Sequence, residues 1–364
     1  MRCSIIPPYI LRRLASLDDP AFASAAQAAR ASLQVDRPFR SARAGEAAPP
    51  TSAPGAQGRT TALSRPLAGP IRTISDARRT EDLPGTAVRS DEEPTGATDD
   101  PAVVEAWDGL GHTHELYRTE YSRASIDDDN LPLEATVHFG RHYDNAFWNG
   151  ERMVFGDGDG QVFTRMTASL SVIGHELTHG VTQYTAGLEY SGQSGALNES
   201  FSDVFGALVE QRTANQTASE ASWLIGVGLF TDEVEGEAIR SMKAPGTAYD
   251  DDVLGADPQP ASMSGYVETE EDYGGVHLNS GIPNRAFYLV AEALGGKAWE
   301  APGQIWYDTL TGSGLTSTID FAGFARATAT AASARYGEAS VEHDAVLAGW
   351  DGVGVTLGPL RAAS

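Results

Sequence analysis

Between residues 172 and 181, Val172, Ile173, Leu177 and Val181 recur every three or four positions, which lines one face of a helix with apolar side chains. Gly187 stands where such a helix is expected to stop. The same periodicity predicts helices over residues 101–121, 201–209, 282–294, 301–310 and 321–336. Short runs at 136–139, 147–148 and 152–155, set off by Gly and Asn, read as strands. Strands thus concentrate before residue 190 and helices after it. The expectation is an α+β fold in two domains: a β-rich domain over 71–190 that ends in the 172–181 helix, and a mainly α domain over 191–364.

Upstream the pattern changes. Residues 41–70 are mostly Ala, Pro, Gly, Ser and Thr, too poor in large apolar groups to offset ordering entropy, so 44–70 reads as a flexible linker. Before it, residues 1–43 hold a compact apolar and basic run, Ile5-Ile6-Pro7-Pro8-Tyr9-Ile10-Leu11-Arg12-Arg13-Leu14, then an Ala-rich helical stretch to about Leu33. This segment carries seven Arg against three Asp, whereas the rest of the chain carries 19 basic and 47 acidic residues. Such complementarity suits docking of the first 43 residues on the remainder, where it chiefly sets register and rate.

Charge and composition also exclude. A net charge of −24 argues against nucleic-acid binding. No stretch of about 18 apolar residues exists, so no membrane-spanning helix is expected. The first residues lack an uninterrupted apolar core of the kind a Sec signal needs. The lone cysteine, Cys3, rules out an internal disulfide framework; a role as latent-state metal ligand is a minor alternative to that of an inert filler.

The 172–181 helix carries the chemistry. In His175-Glu176-Leu177-Thr178-His179 two histidines four apart stand one turn above each other, about 6 Å apart, and can reach one small cation. Alone they could be two core histidines of an amphipathic helix. Glu199, in Gly195-Ala196-Leu197-Asn198-Glu199-Ser200-Phe201-Ser202-Asp203, makes a third ligand plausible. Two His and one Glu suit a catalytic zinc that keeps one of four positions for water; a structural zinc more often takes four ligands, commonly cysteines. Glu176, beside the first ligand, is placed as general base toward that water. Glu199 and Asp203 are four apart on a helix that starts near Gly195, with Phe201, Val204, Phe205 and Leu208 available for its buried side. Asp203, and less strongly Asn198, are candidates to accept the second N–H of a ligating histidine. His112, His114, His138, His142 and His343 have no assigned chemistry and are expected to be structural or exposed.

From about Leu83 onward the chain resembles the thermolysin family of zinc metalloendopeptidases. The resemblance rests on Asn145-Ala146-Phe147-Trp148-Asn149-Gly150, Met153-Val154-Phe155-Gly156-Asp157-Gly158-Asp159-Gly160, the two zinc motifs, Ile239-Arg240-Ser241-Met242 and Gly274-Gly275-Val276-His277-Leu278-Asn279-Ser280-Gly281. It implies His175, His179 and Glu199 as ligands of one zinc ion, and Glu176 as the residue that activates water. It implies His277 and Tyr190 as oxyanion donors, with Asp272 orienting His277. Asn145, the Ala146 backbone and Arg240 are similar to the groups that hold the peptide main chain. Phe163, Met166, Val172, Ile225, Leu229 and Ile239 fall where the family builds the pocket for the residue after the scissile bond. All six are apolar, so cleavage is expected on the amino side of bulky hydrophobic residues.

The Pro7-Pro8-Tyr9 element resembles the short prosegment of the protealysin-like branch, an intramolecular inhibitor and folding aid. That implies a zymogen cut between about Pro38 and Ile71, and a monomeric enzyme on protein or peptide substrates. Where relatives build a double calcium site from carboxylates, this chain has Ser171, Ser222, Leu224 and Val227 and keeps only Glu210, so that site is expected to be absent. The acidic runs at 127–129, 250–252 and 268–272 read as solvated faces with at most weak calcium affinity. Tyr273 replaces an Asn of many relatives. The family suggests an extracellular location by a route other than Sec, with cytoplasmic retention as the alternative. Two other function classes stay open on the residues: an inactive zinc-bound binding module, and a zinc hydrolase such as an amidase acting on small molecules.

Overall fold

The computed structural model describes residues 3–43, 69–92 and 98–357, without the side chains of Cys3 and residues 37–43. The expected linker thus lies outside the described residues except for its last two positions, as does most of the expected cleavage window and the side chain of Cys3. The chain opens with β1 (Cys3–Ser4), α1 (Pro8–Ala15) and α2 (Ala23–Arg43). Strands β2 (Arg72–Asp76) and β3 (Thr86–Ser90) precede α3 (Pro101–Glu120); β4 (Leu133–Val137), β5 (Ala146–Trp148), β6 (Met153–Phe155) and α4 (Leu170–Gln183) come next. After α5 (Gly192–Thr213) come two short antiparallel pairs, β7 (Leu224–Ile225) with β8 (Arg240–Ser241) and β9 (Asp250–Asp251) with β10 (Gly255–Ala256). The remainder is helical: α6 (Asp272–Asn279), α7 (Gly281–Leu294), α8 (Ala301–Thr311), α9 (Phe321–Tyr336) and α10 (Val341–Gly352).

One mixed sheet runs β1-β5-β6-β4-β2-β3. Strand β5 would be its edge, with a row of unpaired N–H and C=O groups, a surface proteins normally cover. The start of the chain covers it: β1 pairs antiparallel with β5, Cys3 opposite Trp148 and Ser4 opposite Phe147. Helix α1, started by Pro7 and Pro8, turns Pro8, Ile10, Leu11 and Leu14 inward. Ile5, Ile6, Ile10, Leu11 and Leu14 are completely buried and belong to the main core. Each such burial contributes about 1.5–3 kcal/mol.

Several boundaries differ from expectation, each for a local reason. Strand β4 runs 133–137 rather than 136–139, because His138 takes φ +54°, which an extended strand does not accommodate. Helix α4 stops at Gln183; Gly187, at φ +56°, comes four residues later and bonds its N–H to the Thr182 carbonyl. The stretch expected as 201–209 is the middle of the 22-residue α5, and α2 runs ten residues past Leu33. Helix α6 begins through four positive-φ residues, Asp272 to Gly275, and so shows no helical periodicity at its start.

His138 bridges the sheet and the start of α3. Its Nδ1 lies 2.7 Å from Asp157 and its Nε2 2.9 Å from Asp100, whose carboxylate also caps α3 through the Ala102 N–H. The hydrogen bond to Asp157, opposed by burial and reinforced by Asp100, raises the imidazole to about 9. A folded value above the unfolded value of about 6.5 means that the stabilisation is complete below that pH and is lost as pH rises through about 9. Urea unfolding of wild type and His138→Gln is expected to show a gap of about 1 kcal/mol at pH 6, as for partly exposed ion pairs, that closes toward pH 10. A pH-independent gap contradicts a charged ring.

Candidate active site

Helices α4 and α5 cross at two glycines. A Cβ on Gly206 would lie 2.4 Å from the Ser171 carbonyl oxygen, so no larger residue fits there, and one on Gly174 would lie 3.0 Å from Gly206 Cα, a tight contact. The close approach brings His175 and His179 of α4 up to Glu199 of α5. The two Nε2 atoms are 3.0 Å apart, and each lies 3.5 Å from a Glu199 oxygen. All three side chains are buried, and among the described residues they are the one group of three whose ligand atoms converge, within 4.8 Å.

The hydrogen bonds around the histidines decide what this cluster can bind. His175 Nδ1 donates to Asp203 Oδ1 at 2.8 Å, and His179 Nδ1 to Asn198 Oδ1 at 2.8 Å, with Ser202 Oγ also 3.0 Å away. The Asn198 amide is oriented by its own donation to the Leu188 carbonyl, which leaves its oxygen for His179. Both Nε2 atoms therefore present lone pairs toward each other and toward a carboxylate that also accepts from Tyr190. A cation shared by the three satisfies that arrangement, and two imidazoles with one carboxylate are a donor set that zinc prefers. The residues present fit one zinc ion.

Asp203 joins this cluster to the cleft. Its Oδ1 accepts from His175 and from Arg240 Nη2 at 2.7 Å, its Oδ2 from Arg240 Nε and Asn284 Nδ2, both at 2.8 Å. Burial alone would raise this carboxyl, but the Arg240 charge and the bonds from His175 and Arg240 outweigh it and hold Asp203 far below the usual carboxylate range. Asn284 is a partner that sequence reasoning missed; it lies on the buried side of α7 with Ile282, Ala286 and Phe287, and no local pattern marks it.

The remaining expected groups surround the same space. Glu176, buried on α4, accepts the Trp148 N–H of β5 at 2.9 Å, a contact with no sequence signal. His277 of α6 donates from Nδ1 to Asp272 Oδ1 at 2.8 Å, and its backbone N–H bonds the other Asp272 oxygen at 2.9 Å. Burial would lower His277, but Asp272 and Glu199 raise it above its ordinary value. Tyr190 donates its hydroxyl to Glu199 and lies 3.3 Å from His277 Nε2. Tyr273 packs edge-on against Tyr190, with centroids 5.6 Å apart, which gives the replacement at this position a physical role in seating that ring.

Residues 4–6 run through this space as an extended peptide. The Ser4 carbonyl accepts from His277 Nε2 at 3.0 Å, and the Ile5 N–H donates to the Ala146 carbonyl at 3.1 Å. The Ile5 carbonyl accepts from Arg240 Nη1 at 3.0 Å; the Ile6 N–H donates to Asn145 Oδ1 at 2.9 Å, and Asn145 Nδ2 reaches back to the Ile6 carbonyl. The expected pocket residues Phe163, Met166, Val172, Ile225, Leu229 and Ile239 are all fully buried and share one core with Ile5 and Ile6. Next to them, Ser171 Oγ accepts the Gly226 N–H, and burial raises the carboxyl of Glu210 despite its bonds with Ser171.

Comparison with known proteins covers nearly the whole chain. Residues 57–183 match the thermolysin metallopeptidase catalytic domain, and 186–355 match the thermolysin metallopeptidase alpha-helical domain. An extracellular metalloprotease of Pectobacterium carotovorum subsp. carotovorum is 47% identical over 98% of this chain and 97% of its own length. The protease PrtS of a Photorhabdus strain is 48% identical over 79% of this chain and 76% of its own. Among solved structures, the precursor of protealysin, a metalloproteinase from Serratia proteamaculans, superimposes with a TM-score of 0.85 at 47% identity, over 97% of this chain and all of that one.

The hydrogen bonds to the histidines yield a direct expectation. Asp203→Asn and Asn198→Ala should each weaken zinc binding about 10- to 100-fold in chelator competition, the usual consequence of removing such partners. Unchanged affinity in two folded variants contradicts the assignment.

Proposed function

The chain belongs to the thermolysin family of zinc metallopeptidases, and we propose that it is made as a zymogen that hydrolyses peptide bonds on the amino side of bulky hydrophobic residues. The observation that carries this reading is the peptide already in the cleft. His277, Ala146, Arg240 and Asn145 are bonded to consecutive main-chain groups of residues 4–6, so the groups expected to hold a substrate backbone are holding a backbone.

His175, His179 and Glu199 hold the zinc ion in this reading. The chemistry that zinc supplies when bound is Lewis acidity, which lowers the pKa of a water to about 7. Glu176, its carboxylate fixed by the Trp148 N–H, takes a proton from the attacking water and passes it to the leaving nitrogen. His277 and Tyr190 donate to the oxygen on which negative charge develops, and one such donor is worth about 2.7–4 kcal/mol. Asp272 holds His277 in place for this. Arg240, anchored by Asp203, and Asn145 fix the main chain after the scissile bond; the apolar pocket of Phe163, Met166, Val172, Ile225, Leu229 and Ile239 selects the side chain there.

Residues 1–43 serve as an inhibitory prosegment, 44–70 as the linker that is cut, and 71–190 and 191–364 as the two catalytic domains. The likeness to a protealysin precursor supports the latent form, and the name of the Pectobacterium relative supports an extracellular location. Among the described residues no helix is long and apolar enough to cross a membrane. In this reading the enzyme works as a monomer without the family's double calcium site: Ser171, Ser222, Leu224 and Val227 stand where relatives place carboxylates and leave Glu210 alone, whereas calcium takes six to eight oxygen ligands.

Digestion of a peptide library by the mature wild-type enzyme is expected to place Leu, Phe or Ile just after the cut, and Glu176→Ala is expected to retain zinc yet cleave nothing. Acidic or basic residues at that position, or an active Glu176→Ala, contradict the assignment. A calcium chelator too weak to remove zinc should leave the melting temperature unchanged; a marked drop means that calcium is bound.

A further inference from the structure

A peptide set up for hydrolysis meets several geometric conditions together. The carbonyl before the scissile bond faces the oxyanion donors, the N–H after it is anchored on the strand, and the next carbonyl is clamped. A segment that merely blocked the cleft could run in the opposite direction and meet none of them. In the described residues one bond meets all of them, Ser4–Ile5: its carbonyl oxygen is 3.0 Å from His277 Nε2 and its N–H is bonded to Ala146. Arg240 clamps the Ile5 carbonyl, and Asn145 brackets Ile6 on both main-chain groups. On the other side of the bond, Ser4 and Cys3 continue antiparallel along Phe147 and Trp148, so peptide direction is the same throughout the cleft. Ile5 is also a bulky apolar residue, completely buried in the core shared with the pocket residues.

We propose that the Ser4–Ile5 peptide bond is itself a substrate of this active site, so that the docked N-terminal segment inhibits as a tethered, slowly cut substrate. The inference rests on the endopeptidase reading above. Water oxygen bonds to the Ser4 carbonyl carbon, a water proton passes through Glu176 to the Ile5 nitrogen, and the C–N bond breaks. The second water proton follows from the new carboxyl group to the amine, so Ser4 is left as a carboxylate and Ile5 as an ammonium.

The two sides of the cut are held very unequally. Among the described residues, the side ending at Ser4 is held by the Ser4 bond to His277 and the two strand pairings. The side beginning at Ile5 is seated by Ile5, Ile6, Ile10, Leu11 and Leu14, and by Asp36 of α2, which accepts from Tyr143 and Asn145. The new amine therefore stays beside the new carboxylate at high effective concentration, and resynthesis competes with departure of the side ending at Ser4. Cleavage is slow, and it does not by itself release the inhibitor.

The test uses the full chain loaded with zinc, incubated and followed by intact mass and by labelling of new amino termini, with casein hydrolysis by the matured enzyme measured in parallel. The expected result is a species that begins at Ile5 and keeps the linker, formed at a rate unchanged by tenfold dilution. It should be at least 100-fold less abundant in Glu176→Ala and absent in Ile5→Pro, which lacks the N–H. Casein hydrolysis with Ser4–Ile5 intact overturns this inference and leaves the endopeptidase reading standing; loss of both overturns both. An Ile5 terminus that forms equally in Glu176→Ala, or tenfold slower on dilution, shows cutting by another molecule and overturns it too.

Discussion

The backbone contact between α4 and α5 at Gly174 and Gly206 is the constraint on which the rest of the molecule depends. Helix axes normally pack 8–10 Å apart, at a distance set by the side chains between them. Removing the side chains at the crossing lets the histidines of one helix and the glutamate of the other meet at ligand distance without long, adaptable side chains. Once the helices are held there, the i, i+4 geometry of each does the remainder: His175 and His179 on α4, Glu199 and Asp203 on α5. Asp203 carries the constraint onward, because the carboxylate that orients His175 also fixes Arg240 and so joins the His175, His179 and Glu199 cluster to the side chain that holds the Ile5 carbonyl.

The N-terminal segment completes this arrangement rather than decorating it. Strand β5 lines the cleft and would otherwise end the sheet, so whatever fills the cleft satisfies an open edge, whether an incoming substrate or the chain's own residues 3–6. The charge contrast between the first 43 residues and the rest suggests electrostatic docking, but among the described residues the ion pair it forms, Arg12 with Glu271, lies on the surface, where such pairs are worth little. Five fully buried apolar side chains outweigh it. Burial holds the segment, and charge is left to guide its approach and register.

How much of this was legible in the chain depended on how local the cause was. The helices that carry the ligands could be read from apolar spacing, and Asp203 from its four-residue offset to Glu199, because both rest on the geometry of a single helix. Asp272 turns back on His277 through left-handed residues, so its partnership could be expected only from resemblance and not from periodicity. The grip of Arg240 on Asp203 and of Trp148 on Glu176 joins separate elements, and no local pattern encodes such contacts. Strands β2 and β3 and helix α10 escaped notice because few of their residues are fully buried, which blurs the alternation that would reveal them. The apolar run at the start of the chain was visible, but its pairing with a strand about 140 residues away depends on the finished sheet.

The central claim is that one zinc ion sits among His175, His179 and Glu199 with the chain's own peptide lying across it. A crystal structure of the full, zinc-loaded chain with diffraction recorded on both sides of the zinc absorption edge tests this most directly. The account predicts a single anomalous peak bounded by the two Nε2 atoms and the Glu199 carboxylate, with the Ser4 carbonyl beside it. No peak at that position, or a peak there with residues 4–6 outside the cleft, would contradict it.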